Sequence, residues 1–156
     1  MDKLRRTLLK GAGAGSALAA ALAAGILQPG QALAAAADRA AFDAKDLAGA
    51  LQGISAGTTA ESHDLRMRAP DIAENGAVVP VDVISNIANT SEIAILVEKN
   101  PFPLSARFQF SNGALPDVSV RLKVARTSSV KVGAKADGKV YGTQKEVKVT
   151  AGGCGG

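Results

Sequence analysis

Val118-Ser119-Val120-Arg121-Leu122-Lys123-Val124 alternates apolar and polar residues without a break. Side chains of an extended chain point to opposite faces in turn. The stretch therefore has one apolar and one polar face, the pattern of a half-buried strand. Val130, Val132 and Ala134 keep the same period. Asp137-Gly138 follows, a pair that tolerates positive φ at both positions and so closes a tight hairpin. Residues 140–149 are then the return strand.

The same period appears upstream. Leu65 and Met67 alternate with Asp64, Arg66 and Arg68, and Ala106, Phe108 and Phe110 with Arg107 and Gln109. Residues 78–84 and 93–98 are strand-like. Asn112-Gly113 is a turn signal, Asn100-Pro101-Phe102-Pro103 breaks the chain, and residues 70–76 read as a turn or a short helical turn. About seven short strands at regular spacing predict an all-β domain over residues 63–150, an immunoglobulin-like antiparallel β-sandwich.

Two strands depart from alternation. Val78-Val79-Pro80-Val81-Asp82-Val83-Ile84 and Ile93-Ala94-Ile95-Leu96-Val97 are apolar on both faces. Two explanations stand side by side: a central strand covered by an N-terminal helix, or a partner protein packed on that side. Pro80 cannot donate to a ladder, which places its strand at an edge or a bulge.

Ahead of the strands, residues 35–62 read as a helix and a linker. Asp38 can cap a helix over 38–52, with Phe42, Leu47 and Leu51 on one apolar face. Residues 53–62 are small and polar. Residues 1–34 read as an export signal of the twin-arginine type. Arg5-Arg6 stands inside Leu4-Arg5-Arg6-Thr7-Leu8-Leu9-Lys10, although Leu4 occupies a place where Ser or Thr is usual. No charge falls between Gly11 and Ala37, and Ala32-Leu33-Ala34 offers a small-x-small cleavage site after Ala34. An uncleaved membrane anchor is the alternative. The expectation is a periplasmic protein with no stable membrane association once the signal is removed.

The chain of 156 residues has 18 Lys and Arg against 14 Asp and Glu. Removing Lys3, Arg5, Arg6, Lys10 and Asp2 with the signal leaves 14 basic and 13 acidic residues, net +1. The basic balance belongs to the signal, and the remainder gives no support for nucleic-acid binding. One Cys and one His make a structural zinc site implausible.

The chain ends Ala151-Gly152-Gly153-Cys154-Gly155-Gly156. Glycine has the widest backbone freedom and no side chain. Residues 151–156 are therefore expected to form a flexible arm, with Gly152, Gly153, Gly155 and Gly156 flanking the sole thiol. Cys154 would reach about 14 Å beyond Thr150, and the glycines would let it enter a narrow pocket. No base can be held against a moving arm, so the thiol is expected to be passive and activated inside a partner. No catalytic residue, metal ligand or cofactor is expected in the chain itself. Lys145 and Lys148 precede the arm and read as a solvated face, with attraction for an anionic adduct as the alternative.

The ending Val147-Lys148-Val149-Thr150-Ala151-Gly152-Gly153-Cys154-Gly155-Gly156 resembles the signature of the SoxY family, the sulfur-carrier subunit of the Sox thiosulfate-oxidising system. Ala69-Pro70-Asp71-Ile72-Ala73-Glu74-Asn75-Gly76, Val79-Pro80-Val81, Val97-Glu98-Lys99-Asn100-Pro101 and Lys135-Ala136-Asp137-Gly138-Lys139 resemble it too. The resemblance implies a heterodimer with a second small β protein, SoxZ. It implies that Cys154 is the attachment site and carries thiosulfate as cysteine S-thiosulfonate. It also implies partner enzymes that conjugate thiosulfate, hydrolyse off sulfate and oxidise the sulfane sulfur.

Three other readings compete. Gly155-Gly156 meets the minimal pattern of ubiquitin-like carriers that bear a terminal thiocarboxylate, but that chemistry needs ATP-dependent activation. An exported immunoglobulin-like module dimerised through Cys154 is the non-carrier alternative. A hydrolase using Cys154 and His63 needs an attack geometry that a mobile tail does not hold.

Overall fold

The computed structural model describes residues 39–54 and 59–151. The expected signal and the segment 152–156 lie outside these residues. Among the described residues there are nine strands: β1 (Thr59–Glu61), β2 (Leu65–Arg68), β3 (Ile72–Asn75), β4 (Val79–Ser85), β5 (Thr90–Val97), β6 (Leu104–Gln109), β7 (Asp117–Leu122), β8 (Ser128–Ala136) and β9 (Lys139–Ala151).

They form two sheets. The larger runs β1-β9-β8-β5-β6, with β3 also paired to β9, and the smaller runs β2-β4-β7. Between them Val79, Val81 and Val83 of β4 meet Ile93, Ile95 and Val97 of β5 and Val130 and Val132 of β8 in one core. Each such side chain contributes about 1.5–3 kcal/mol when taken from water. The architecture is the immunoglobulin-like sandwich that the alternation predicts.

Two positive-φ pairs close the turns that the sequence marked. Asn112 and Gly113 take φ 55° and 79°, and Asp137 and Gly138 take 49° and 74°. Ala136 pairs with Lys139 across the second turn, making a two-residue hairpin. Asn89 Nδ2 donates to the Asp137 carboxylate at 3.1 Å and braces it.

The expected single helix over 38–52 is broken. Residues 39–43 are helical, and a second helix, α1 (Leu47–Gly53), starts afresh with extended backbone at Asp46. The Asp46 carboxylate accepts the Gly49 amide at 2.7 Å and caps this second helix, while Asp38, the expected cap, lies outside the described residues. The break lets the two pieces pack together: a Cβ on Gly53 would lie 2.4 Å from Ala41 Cβ.

These helical pieces settle the doubly apolar β5. Ala94 and Leu96, on its outer face, pack with Ala41, Ala50 and Ile54. The strand is central and covered by the chain itself, so its pattern lends no weight to a partner. Pro80 differs from expectation, because β4 is the middle strand of its sheet. β2, however, reaches only as far as Asp82, so at Pro80 the strand has β7 alone as neighbour. The missing amide costs no bond on the side where β2 has ended.

Two further strands lie where none was expected. β1 falls in the polar linker and β3 in the stretch read as a turn, and both run parallel to β9. Period-two reading misses them because three or four residues carry too little pattern, and their partner is remote in sequence.

Candidate functional site

The site is the root of the C-terminal segment, and β9 builds it. Strand β9 alternates Val147 and Val149 toward the core with Lys148 and Thr150 toward solvent. Val147 is fully buried and anchors the strand. Its far end is held on both sides. On one side β3 pairs in parallel, Ile72 with Lys148, Ala73 with Val149 and Asn75 with Ala151. The Lys148 amide donates to the Asp71 carbonyl at 2.9 Å. On the other side the Val149 amide donates to Thr127 Oγ1 at 3.0 Å, just before β8 begins. A 13-residue strand is long for a domain of this size, and β3 and Thr127 supply the partners that let it continue past β8.

The loops around this end are stitched to one another. Asn100 Nδ2 donates to the Lys123 carbonyl at 2.7 Å, and Asn100 Oδ1 accepts the Ala125 amide at 3.0 Å. Ser128 Oγ accepts the Lys99 amide at 3.0 Å. Val124 donates to the Gly76 carbonyl at 2.7 Å. The turn after β3, the β5–β6 loop and the β7–β8 loop thus make one rim. Lys145 holds the β2–β3 connection to β9, ion-paired with Asp71 at 3.0 Å and donating to the Ala69 carbonyl at 2.6 Å.

Cys154, Gly152, Gly153, Gly155 and Gly156 lie outside the described residues. Cys154 is three residues beyond Ala151, which limits its reach to about 10 Å. This distance bears on the thiol–imidazole pairing. His63 is exposed in the turn between β1 and β2. It shares a cavity of about 670 Å³ with Gln144 and Lys131. Gln144 is seven residues before Ala151, roughly 23 Å along the strand. His63 is therefore beyond the reach of Cys154 within one chain, and the two do not form a nucleophile–base pair. Among the described residues no cluster of three or more His, Cys, Asp or Glu is placed to hold a metal ion.

Of the segments that carried the resemblance, Val79-Pro80-Val81 lies in β4 of the smaller sheet, and the others lie around β9. Residues 69–76 contain β3, residues 97–101 contain Asn100 and the rim, and residues 135–139 make the hairpin that starts β9. The hairpin is a local contact and was legible in the sequence, whereas Ile72 with Lys148 and Asn100 with Lys123 join residues distant in the chain and were not.

Comparison with protein families matches residues 52–154 to the family described as "Sulfur oxidation protein SoxY". Among solved structures, the chain is similar to the sulfur carrier protein SoxY from Chlorobium limicola f thiosulfatophilum. The two share 36% identity over 68% of this chain and 97% of that one, with a TM-score of 0.61. No curated protein sequence matches the chain.

Proposed function

The chain belongs to the SoxY family of sulfur carrier proteins, and on that premise we propose that it holds thiosulfate-derived sulfur covalently on Cys154, in the periplasm, while partner proteins carry out the chemistry. One observation carries the reading: the family match extends to residue 154, the only cysteine, three residues past a strand clamped on both sides. A carrier needs a fixed root and a reach beyond it, and the root is strand-paired up to Ala151.

The chemistry assigned to Cys154 balances as follows. Loading joins the thiol sulfur to the outer sulfur of thiosulfate. The thiol proton and two electrons leave, and the conjugating partner takes the electrons. The product is cysteine S-thiosulfonate, with one negative charge. Water then attacks the sulfonate sulfur in a second partner. Sulfate and a proton depart, and a persulfide remains for oxidation. The chain supplies attachment and delivery in each step, with Gly152, Gly153, Gly155 and Gly156 as a slender arm. Family membership implies a Sox-system partner such as SoxZ, and we assign it the role of heterodimer partner. Export by the twin-arginine route suits a folded pair.

Mass spectrometry of the C-terminal tryptic peptide, residues 149–156, tests the reading. Protein from thiosulfate-grown cells is compared before and after reduction. Reducible sulfur or thiosulfonate adducts on Cys154 are the expected result. A bare thiol or a disulfide dimer, with thiosulfate and partner enzymes supplied, would overturn it in favour of an interaction module.

A further inference from the structure

Of the chain's five asparagines, Asn75 and Asn112 are the two that precede a glycine. An asparagine in that setting can lose its side-chain amide without an enzyme, because the next backbone nitrogen attacks the side-chain carbonyl carbon. Glycine has no side chain to obstruct the approach. Asn86 and Asn89 are followed by the β-branched Ile87 and Thr90, which crowd it. Asn100 is followed by Pro101, whose nitrogen carries no proton to give up.

The fold treats the two asparagine–glycine pairs differently. At the first, Gly76 is buried, and Asn75 is strand-paired with Ala151. Asn75 Oδ1 accepts the Ala77 amide at 2.9 Å, and the Gly76 carbonyl accepts the Val124 amide at 2.7 Å. At the second, residues 111–115 are all exposed. One backbone hydrogen bond closes the turn, from the Ala114 amide to the Ser111 carbonyl at 3.1 Å. The Asn112 side chain has no hydrogen-bond partner among the described residues, and nothing lies within 4 Å of where a Cβ on Gly113 would stand. The loop is tied down on either side of this turn. The Phe110 amide donates to the Ser91 carbonyl at 2.9 Å, and the Ser85 amide to the Pro116 carbonyl at 3.0 Å. The turn can therefore open by itself, at the cost of one exposed hydrogen bond, while the sheets stay intact. Opening lets the Gly113 nitrogen swing over the Asn112 side-chain carbon, the geometry that the attack requires. At Asn75 the same swing breaks strand pairing and lifts a buried residue.

We infer that Asn112 is the residue at which this protein deamidates in its folded state, and that the fold protects Asn75. The Gly113 nitrogen gives up its proton to solvent and bonds to the Asn112 side-chain carbon. The bond to the side-chain nitrogen breaks and ammonia leaves, which closes a succinimide ring. Water then opens the ring at either carbonyl. One opening gives aspartate, and the other gives isoaspartate, which carries the main chain through the former side chain. The net change is amide plus water to carboxylate plus ammonium, with no oxidant or reductant. A negative charge thereby enters the connection from β6 to β7, which joins the larger sheet to the smaller. The residue also lines a cavity of about 490 Å³ with Phe110 and Leu115, so the product makes that end of the sandwich more acidic. The whole of β6 separates this turn from the rim at the arm root, so the inference is independent of the carrier reading.

The test is to age the full mature protein, in the assembly in which it is isolated, in mildly alkaline buffer. Tryptic peptides are followed by mass spectrometry. Residues 108–121 report Asn112, and residues 69–99 report Asn75. Fragmentation separates a gain of acid at Asn112 from one at Gln109, and enzymatic methylation reports isoaspartate. In the folded protein Asn112 is expected to deamidate at least about tenfold faster than Asn75, reflecting the difference in local opening. In denaturant the two rates should come within about threefold of each other, since both are asparagine–glycine pairs in an open chain. Hydrogen exchange on the same sample checks the cause, with the Ala114 amide expected to exchange well before the Val124 amide. Equal rates at the two asparagines in the folded protein would overturn the inference. So would an Asn112 that reacts in denaturant but not in the folded state, or an Ala114 amide as protected as that of Val124. None of these outcomes bears on whether Cys154 carries sulfur.

Discussion

Asn75 of β3 stands in parallel register with Ala151 of β9, which fixes the backbone to within three residues of Cys154. The Asn75 side chain closes its own turn by accepting the Ala77 amide at 2.9 Å. The reach of the thiol is set by where this pairing stops.

Removing the thiol should separate function from fold. Cys154→Ser is expected to abolish thiosulfate oxidation in a reconstituted assay. It should leave the thermal midpoint unchanged, because the two described core clusters are built from residues between Ala41 and Val149. Retained activity would point instead to a terminal thiocarboxylate.

Bulk on the arm should slow delivery without harming stability. Gly153→Trp is expected to fold normally and to lower the rate of every partner step at least tenfold. The argument is that a pocket wide enough for a glycine backbone excludes an indole. Full activity with Trp at this position would rule out a narrow receiving pocket.

The clamp on β9 can be loosened from the side opposite β3. Thr127→Val keeps the shape and removes the acceptor of the Val149 amide. The expected cost is about 1 kcal/mol, seen as roughly a fivefold loss of hydrogen-exchange protection at Val149. Protection at Val132, deep in the larger sheet, should change only with global stability.

Two glycines should respond in opposite ways. Gly53→Val forces a side chain against Ala41, where even a Cβ would lie 2.4 Å away. Denaturant unfolding should show a loss of about 1–3 kcal/mol. At Gly133 the nearest atom to an added Cβ is Val140 Cγ1, at an ordinary 3.7 Å. Gly133→Ala is expected to be neutral or to stabilise the strand by up to about 1 kcal/mol.

Much of this molecule is legible in one dimension. The alternation at residues 118–124 and the Asp137-Gly138 pair specify strands and a hairpin through local rules, since side-chain direction and turn φ depend on near neighbours. The glycine-flanked thiol is noticeable for the same reason, since four glycines around a cysteine need no fold to be seen, although residues 152–156 lie outside the described residues. The helix is where local rules fell short. Asp38 and Asp46 are both good caps by residue type, and the packing of Ala41 against Gly53 favours a restart at Asp46.

The sequence by itself determined the all-β class and the hairpin that launches β9. It also marked the single thiol as the residue to watch. Only the tertiary structure decided that β3 and Thr127 clamp β9 as far as Ala151, that β5 is covered by the chain's own helices, and that His63 lies out of reach. The physical reason is sequence separation. Asn75 and Ala151, or Thr127 and Val149, become neighbours through burial of the shared valine core. No local pattern encodes a contact whose partner is chosen by the packing of the whole chain.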